Sequence, residues 1–130
     1  VSDMNIDEIE KLDCEERYEI FISIVAEERE IWVLVNEKNE FLKIHSEDHD
    51  FVYLPVWPKA EFTQYHANSS PQKLVPKSIS APEFFAKWVP GLERDGLKVG
   101  VFPSRGTDIF IMEPSEIKSD LQDEFSNFGL

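Results

Sequence analysis

At 130 residues the chain suits a single domain over 1–130, large enough for a hydrophobic core without covalent staples, with residues 1–12 expected to be loosely ordered. One cysteine, Cys14, excludes an intramolecular disulfide, and no apolar run approaches the roughly 18 residues of a membrane span. The net charge of −13 disfavours contact with nucleic-acid backbone, which needs a basic face, and no basic-then-apolar leader opens the sequence, so the cytoplasm is the expected compartment.

Asn5–Lys11 forms a helical turn at most. Asp13 with Glu16 three residues on is a capping-box pattern, and Tyr18, Phe21, Ile22 and Val25 follow at helical spacing. The spacing predicts a helix from Cys14 to Glu28, well buried because Ile20 and Ile24 widen its apolar face. Ile31–Val35 reads as a strand, Asn36–Asn39 as a turn, and Phe41, Leu42 and Ile44 as a second strand. A polar loop, His45–Asp50, leads to a third strand at Phe51–Val56. Short links between these strands predict an antiparallel meander, with Pro55 placing the third strand at an edge or marking its end.

Pro58 opens a predicted helix to Ala67, with Phe62, Tyr65 and His66 at helical spacing. Leu74–Ile79 is expected to hold a short strand. Ser80 with Glu83 repeats the capping-box pattern, and Phe85, Trp88, Val89 and Leu92 form the next buried stripe. Pro90 would clash with the carbonyl of Ala86, which predicts a kink before the glycine stop at Asp95-Gly96. Leu97–Phe102 and Thr107–Met112 read as a hairpin around Pro103–Gly106. Pro114 opens a last helix bearing Ile117, Leu121, Phe125 and Phe128. The order predicts an α+β fold: a mainly antiparallel sheet of about five to six strands with helices packed on it.

The charge is unevenly distributed. Residues 1–50 carry sixteen acids and five bases, a net of −11; residues 51–112 carry five acids and seven bases, a net of +2; residues 113–130 carry five acids and one base, a net of −4. Two acidic ends thus flank a near-neutral middle, and an acidic surface suits a basic partner.

Motifs for chemistry are sparse. His45 and His49 with Glu47, Asp48 and Asp50 match no metal-site spacing and read as a solvated turn, and His66 reads as an ordinary helix residue. Cys14 sits at a helix N-terminus, but Asp13, Glu15 and Glu16 oppose a thiolate there. There is no phosphate loop, dinucleotide fingerprint or nucleophile elbow. Arg105 at the hairpin tip is an anion-binding candidate. The sharpest feature is Leu54-Pro55-Val56-Trp57-Pro58, an aromatic corner flanked by prolines. Trp is a common anchor at binding surfaces, and the competing reading is that Trp57 packs the corner itself; the same holds for Trp88.

These motifs carry a resemblance. Glu16-Arg17-Tyr18 with Phe21 and Val25, Trp32 with Leu34, the Leu54–Pro58 corner with Phe62, Ile79 with Phe84 and Phe85, Trp88-Val89-Pro90-Gly91-Leu92 through Asp95-Gly96 to Val101-Phe102-Pro103, and the Glu116–Leu121 helix are similar to a bacterial family known as domain of unknown function 2750. The resemblance spans about residues 14–124 and implies a small protein with no assigned activity and no catalytic residues to carry over.

The leading expectation is therefore a non-enzymatic binding or accessory domain, with Trp57, Trp88 and Arg105 as binding residues, no cofactor or metal, and neither nucleic acid nor membrane as partner. One alternative is an immunity or inhibitor protein whose acidic ends cap a basic toxin or nucleic-acid-binding enzyme. That reading expects the acids of Asp7–Glu30 and Glu113–Glu124 to form one face. The other alternative is an enzyme of unidentified class.

Overall fold

The computed structural model describes residues 12–46, 51–64, 73–102 and 110–127. Helix α1 covers Cys14–Glu28. The Asp13 side chain accepts from the Glu16 backbone N–H at 2.8 Å, and Glu16 reaches back to the Asp13 N–H, closing the expected capping box. Arg29, in the left-handed region at φ 62°, ends the helix and turns the chain into β1 (Glu30–Val35).

The remaining strands are β2 (Ile44–Ser46), β3 (Phe51–Val56), β4 (Val75–Ser80), β5 (Lys98–Val101) and β6 (Phe110–Met112). They form a two-stranded sheet, β1-β4, and a four-stranded sheet ordered β2-β3-β5-β6. All neighbours are antiparallel except β3 and β5, which run parallel. The fold is α+β and mostly antiparallel, as expected.

The predicted meander through the first three strands is corrected. β1 pairs along its whole length with β4, Glu30 opposite Ser80 through Val35 opposite Val75. Among the described residues it also makes isolated bridges, Trp32 with Trp57 just past β3 and Val35 with Phe41 before β2. The Trp32–Trp57 bridge is complete, with N–H···O bonds of 2.8 and 2.9 Å in the two directions. Of the two places expected for Pro55, the structure has the strand's end: β3 is flanked by both β2 and β5 and closes at Val56. The strand tolerates it because the β2 ladder ends at Tyr53. Val56 offers its carbonyl to the Phe102 N–H on the β5 side, so the adjacent Pro55 nitrogen faces the other way, past the last β2 partner. Pro76 sits in the outer strand of the small sheet, where a missing donor costs little.

Within the described residues, the helix predicted over Pro58–Ala67 begins as a 3₁₀ turn at Ala60–Thr63 and is α-helical at Gln64. Lys59 is extended and supplies no capping side chain, so the turn starts later than the proline suggested. Tyr65 to Ala67 lie outside the described residues.

Helix α2 begins at Ala81–Glu83, passes through a π-helical stretch at Phe84–Trp88 and continues as Val89–Asp95. The expected disturbance at Pro90 takes this form. Widening the turn lets the Val89 N–H bond to the Phe84 carbonyl five residues back and moves the ladder out of register before the proline ring arrives. Gly96, at φ 71°, closes the helix: its N–H bonds to Glu93 O and the Leu97 N–H to Leu92 O at 2.9 Å.

Helix α3 (Pro114–Asn127) begins at the expected proline. It packs beside α1 and the second half of α2, and α1 and α3 also touch β6 and β5 respectively. The core so enclosed is aromatic and branched, with Phe21, Trp57, Phe84, Phe102, Ile31 and Leu121 among its fully buried side chains.

Candidate functional site

Trp57 is 0% exposed and lies in the central core. Its ring packs the strand-to-turn corner and is not presented to a partner, which corrects the reading of Trp57 as a docking anchor. The backbone explains why: Trp57 is where β3 reaches across to Trp32, so its side chain lies at the seam of the two sheets. A shallow groove does adjoin the corner, with Trp32 and Pro58 beside Glu28, Glu30, Glu61 and Lys59.

Trp88 behaves differently. It is half-buried, and its ring tilts at 54° against Phe41 with centroids 5.0 Å apart. The pair borders a groove of about 200 Å³ shared with Lys87, Gly91, Leu92 and Arg94. Arg105 and the Pro103–Gly106 tip lie outside the described residues, as do His49, Glu47, Asp48, Asp50 and His66. His45 is exposed on β2.

The third surface joins the two acidic ends of the chain. Glu15 and Glu19 stand one turn apart on α1, and Glu116, Asp120, Asp123 and Glu124 follow on α3. Because the helices pack together, Glu19, Asp120, Asp123 and Glu124 line one groove of about 470 Å³, floored by Tyr18 and Ile22. No lysine or arginine is among the described residues that line it. Among the described residues no three His, Cys, Asp or Glu side chains converge to hold a metal ion.

Tyr18 ties the two helices together. Its hydroxyl donates a short hydrogen bond to Asp120 Oδ2, and its ring stacks on Phe110 at 4.6 Å and 9°. Burial raises the phenol pKa far above its ordinary value, and the Asp120 hydrogen bond and the Asp120 and Glu116 charges push the same way. The fold therefore favours the neutral phenol. Stability from this group is complete below the unfolded-state value of about 10 and declines as pH climbs above it. Tyr53, raised by burial, adds in the same direction. Urea titrations at rising pH should show stability falling above about pH 10, with a shallower fall in Tyr18→Phe; identical slopes for the two proteins would contradict the assignment.

Sequence reading missed Arg17. It is 2% exposed. Its Nη1 donates to the Leu12 carbonyl at 2.6 Å and its Nε to the Phe102 carbonyl at 3.3 Å. Phe102 is held in the left-handed region at φ 50°, its N–H on Val56 O at 2.8 Å and its ring 5.1 Å from Phe62. In the sequence Arg17 stands next to Tyr18 of the apolar stripe and within the Glu16-Arg17-Tyr18 motif, neither of which tells a buried arginine from a surface charge.

A family model described as "Protein of unknown function (DUF2750)" matches residues 18–121. None of the curated proteins matches the chain. No helix among the described residues is long and apolar enough to cross a membrane.

Proposed function

The chain belongs to the DUF2750 family, and from that premise we propose that it is a non-enzymatic binding or accessory domain whose partner is a basic protein, held at the acidic groove between α1 and α3. The observation that carries this reading is the meeting of acids from both chain ends in one groove, Glu19 with Asp120, Asp123 and Glu124. Like charges on neighbouring turns and facing helices oppose folding by a few tenths of a kcal/mol each. Lysine or arginine side chains from a partner would relieve that repulsion and gain from steered association. A partner whose basic surface binds nucleic acid would be blocked there, which is the inhibitor form of the same reading.

The test is affinity capture from native cells with the full chain as bait, at about 50 mM and about 300 mM salt, where screening lengths differ more than twofold. The expected result is one basic protein enriched at low salt and largely lost at the higher concentration. Capture that ignores salt, or no basic protein above background, would overturn the reading.

A further inference from the structure

The groove at Trp88 departs from the charge of the rest of the chain. Acids outnumber bases 26 to 13 overall, yet here Lys87 and Arg94 line the groove and Lys43 Nζ sits 5.4 Å from the Phe41 ring centroid. Asp95 is also on the rim, 3.5 Å from Arg94 Nε, but both side chains are mostly exposed and the pair is weak. The Phe41 and Trp88 rings, tilted at 54° to each other, supply the aromatic part of the lining.

Gly91 supplies an independent observation. It lies inside α2, where glycine weakens a helix, and its backbone is not in the left-handed region. A Cβ there would meet only the Arg94 guanidinium, at an ordinary 3.8 Å. Neither conformation nor packing requires a glycine. A side chain at this position would instead stand in the groove that Gly91 lines.

We propose that this groove binds a small planar organic anion, an aromatic carboxylate whose ring lies against Phe41 and Trp88 and whose carboxylate faces Lys87 and Arg94. The cations match the carboxylate, the rings offer stacking partners, and the space of about 200 Å³ suits one or two fused rings. This site is separate from the acidic groove, and its ligand is a small molecule rather than a protein.

The test is an amide NMR titration of the full chain with naphthoate, its neutral analogue naphthamide, and inorganic phosphate. Naphthoate should give saturable shifts at Gly91 and at the Trp88 indole N–H, with naphthamide and phosphate each weaker by about tenfold or more. Gly91→Leu should abolish these shifts. Lys87→Gln with Arg94→Gln, on exposed side chains that leave the fold intact, should weaken naphthoate about tenfold and leave naphthamide unchanged, and this pair decides the matter if Gly91→Leu fails to fold. Equal binding of naphthamide or of phosphate, undiminished naphthoate binding in the paired variant, or no saturable shift would overturn the proposal.

Discussion

Trp57→Ala should lower folding stability by about 3–5 kcal/mol, the range for removing a large aromatic side chain from a packed core. The ring is fully enclosed, and its backbone forms the bridge that joins the two sheets at Trp32. The cavity left behind would open beside Leu54, Val56 and Phe62, which belong to the same core cluster. Trp57→Phe should cost less, about 1–3 kcal/mol, because much of the apolar contact survives. Trp88→Ala should cost about 1–2 kcal/mol, since Trp88 is half-buried at the margin of the core, beside Phe41. Denaturant titration of the three variants checks the order. Equal losses for Trp57→Ala and Trp88→Ala would mean that the corner is not the structural seam described.

Arg17→Met should lower stability by about 2–4 kcal/mol. Methionine retains much of the apolar stem but leaves the Leu12 and Phe102 carbonyls without the donors Arg17 supplies, and a buried acceptor stripped of its partner costs about 1–3 kcal/mol. The Phe102 bond matters most, because it helps hold a non-glycine residue at φ 50°. Arg17→Lys should recover only part of the loss, since one ammonium does not reproduce the guanidinium fork that spans two carbonyls. The distinguishing readout is local: amide exchange at Phe102 should accelerate in both variants beyond the change at Leu121. Uniform acceleration through the molecule would show that Arg17 contributes general packing alone.

Much of the architecture was legible because its determinants are local. Asp13 and Glu16 announce the start of α1 within a single turn, Pro114 opens α3, and Gly96 stops α2. What failed to show was choice of partner. Nothing near Ile31–Val35 says that it pairs with a strand more than forty residues on rather than with its neighbour, because both segments alternate and both could register against it. Trp57 and Trp88 each stand within two residues of a proline, yet one lies at the seam of the sheets and the other on a groove wall. Burial of that kind depends on what the rest of the chain places overhead.

The candidate surfaces follow the same division. The acidity of the two ends was plain from composition, and the sequence posed the question of one face or two. Within the described residues, α1 packing on α3 brings Glu19 into one groove with Asp120, Asp123 and Glu124, while Glu28 and Glu30 line a separate groove beside Lys59. The aromatic-cationic groove was visible only as Trp88. Phe41 joins it by bridging back to Val35 at the end of β1, and Arg94 follows Trp88 beyond the wide turn that resets α2 before Pro90.

On the proposed function, the acids of the α1–α3 groove serve a partner rather than the fold. The most direct test compares capture by the wild-type chain with capture by Asp123→Asn combined with Glu124→Gln, quantified in one isotope-labelled experiment at low salt, with both baits confirmed folded by thermal melting. The variant should melt at the same temperature or higher, as relief of like-charge repulsion requires, while losing most of the basic partner. Undiminished capture by a folded variant would contradict the proposed function.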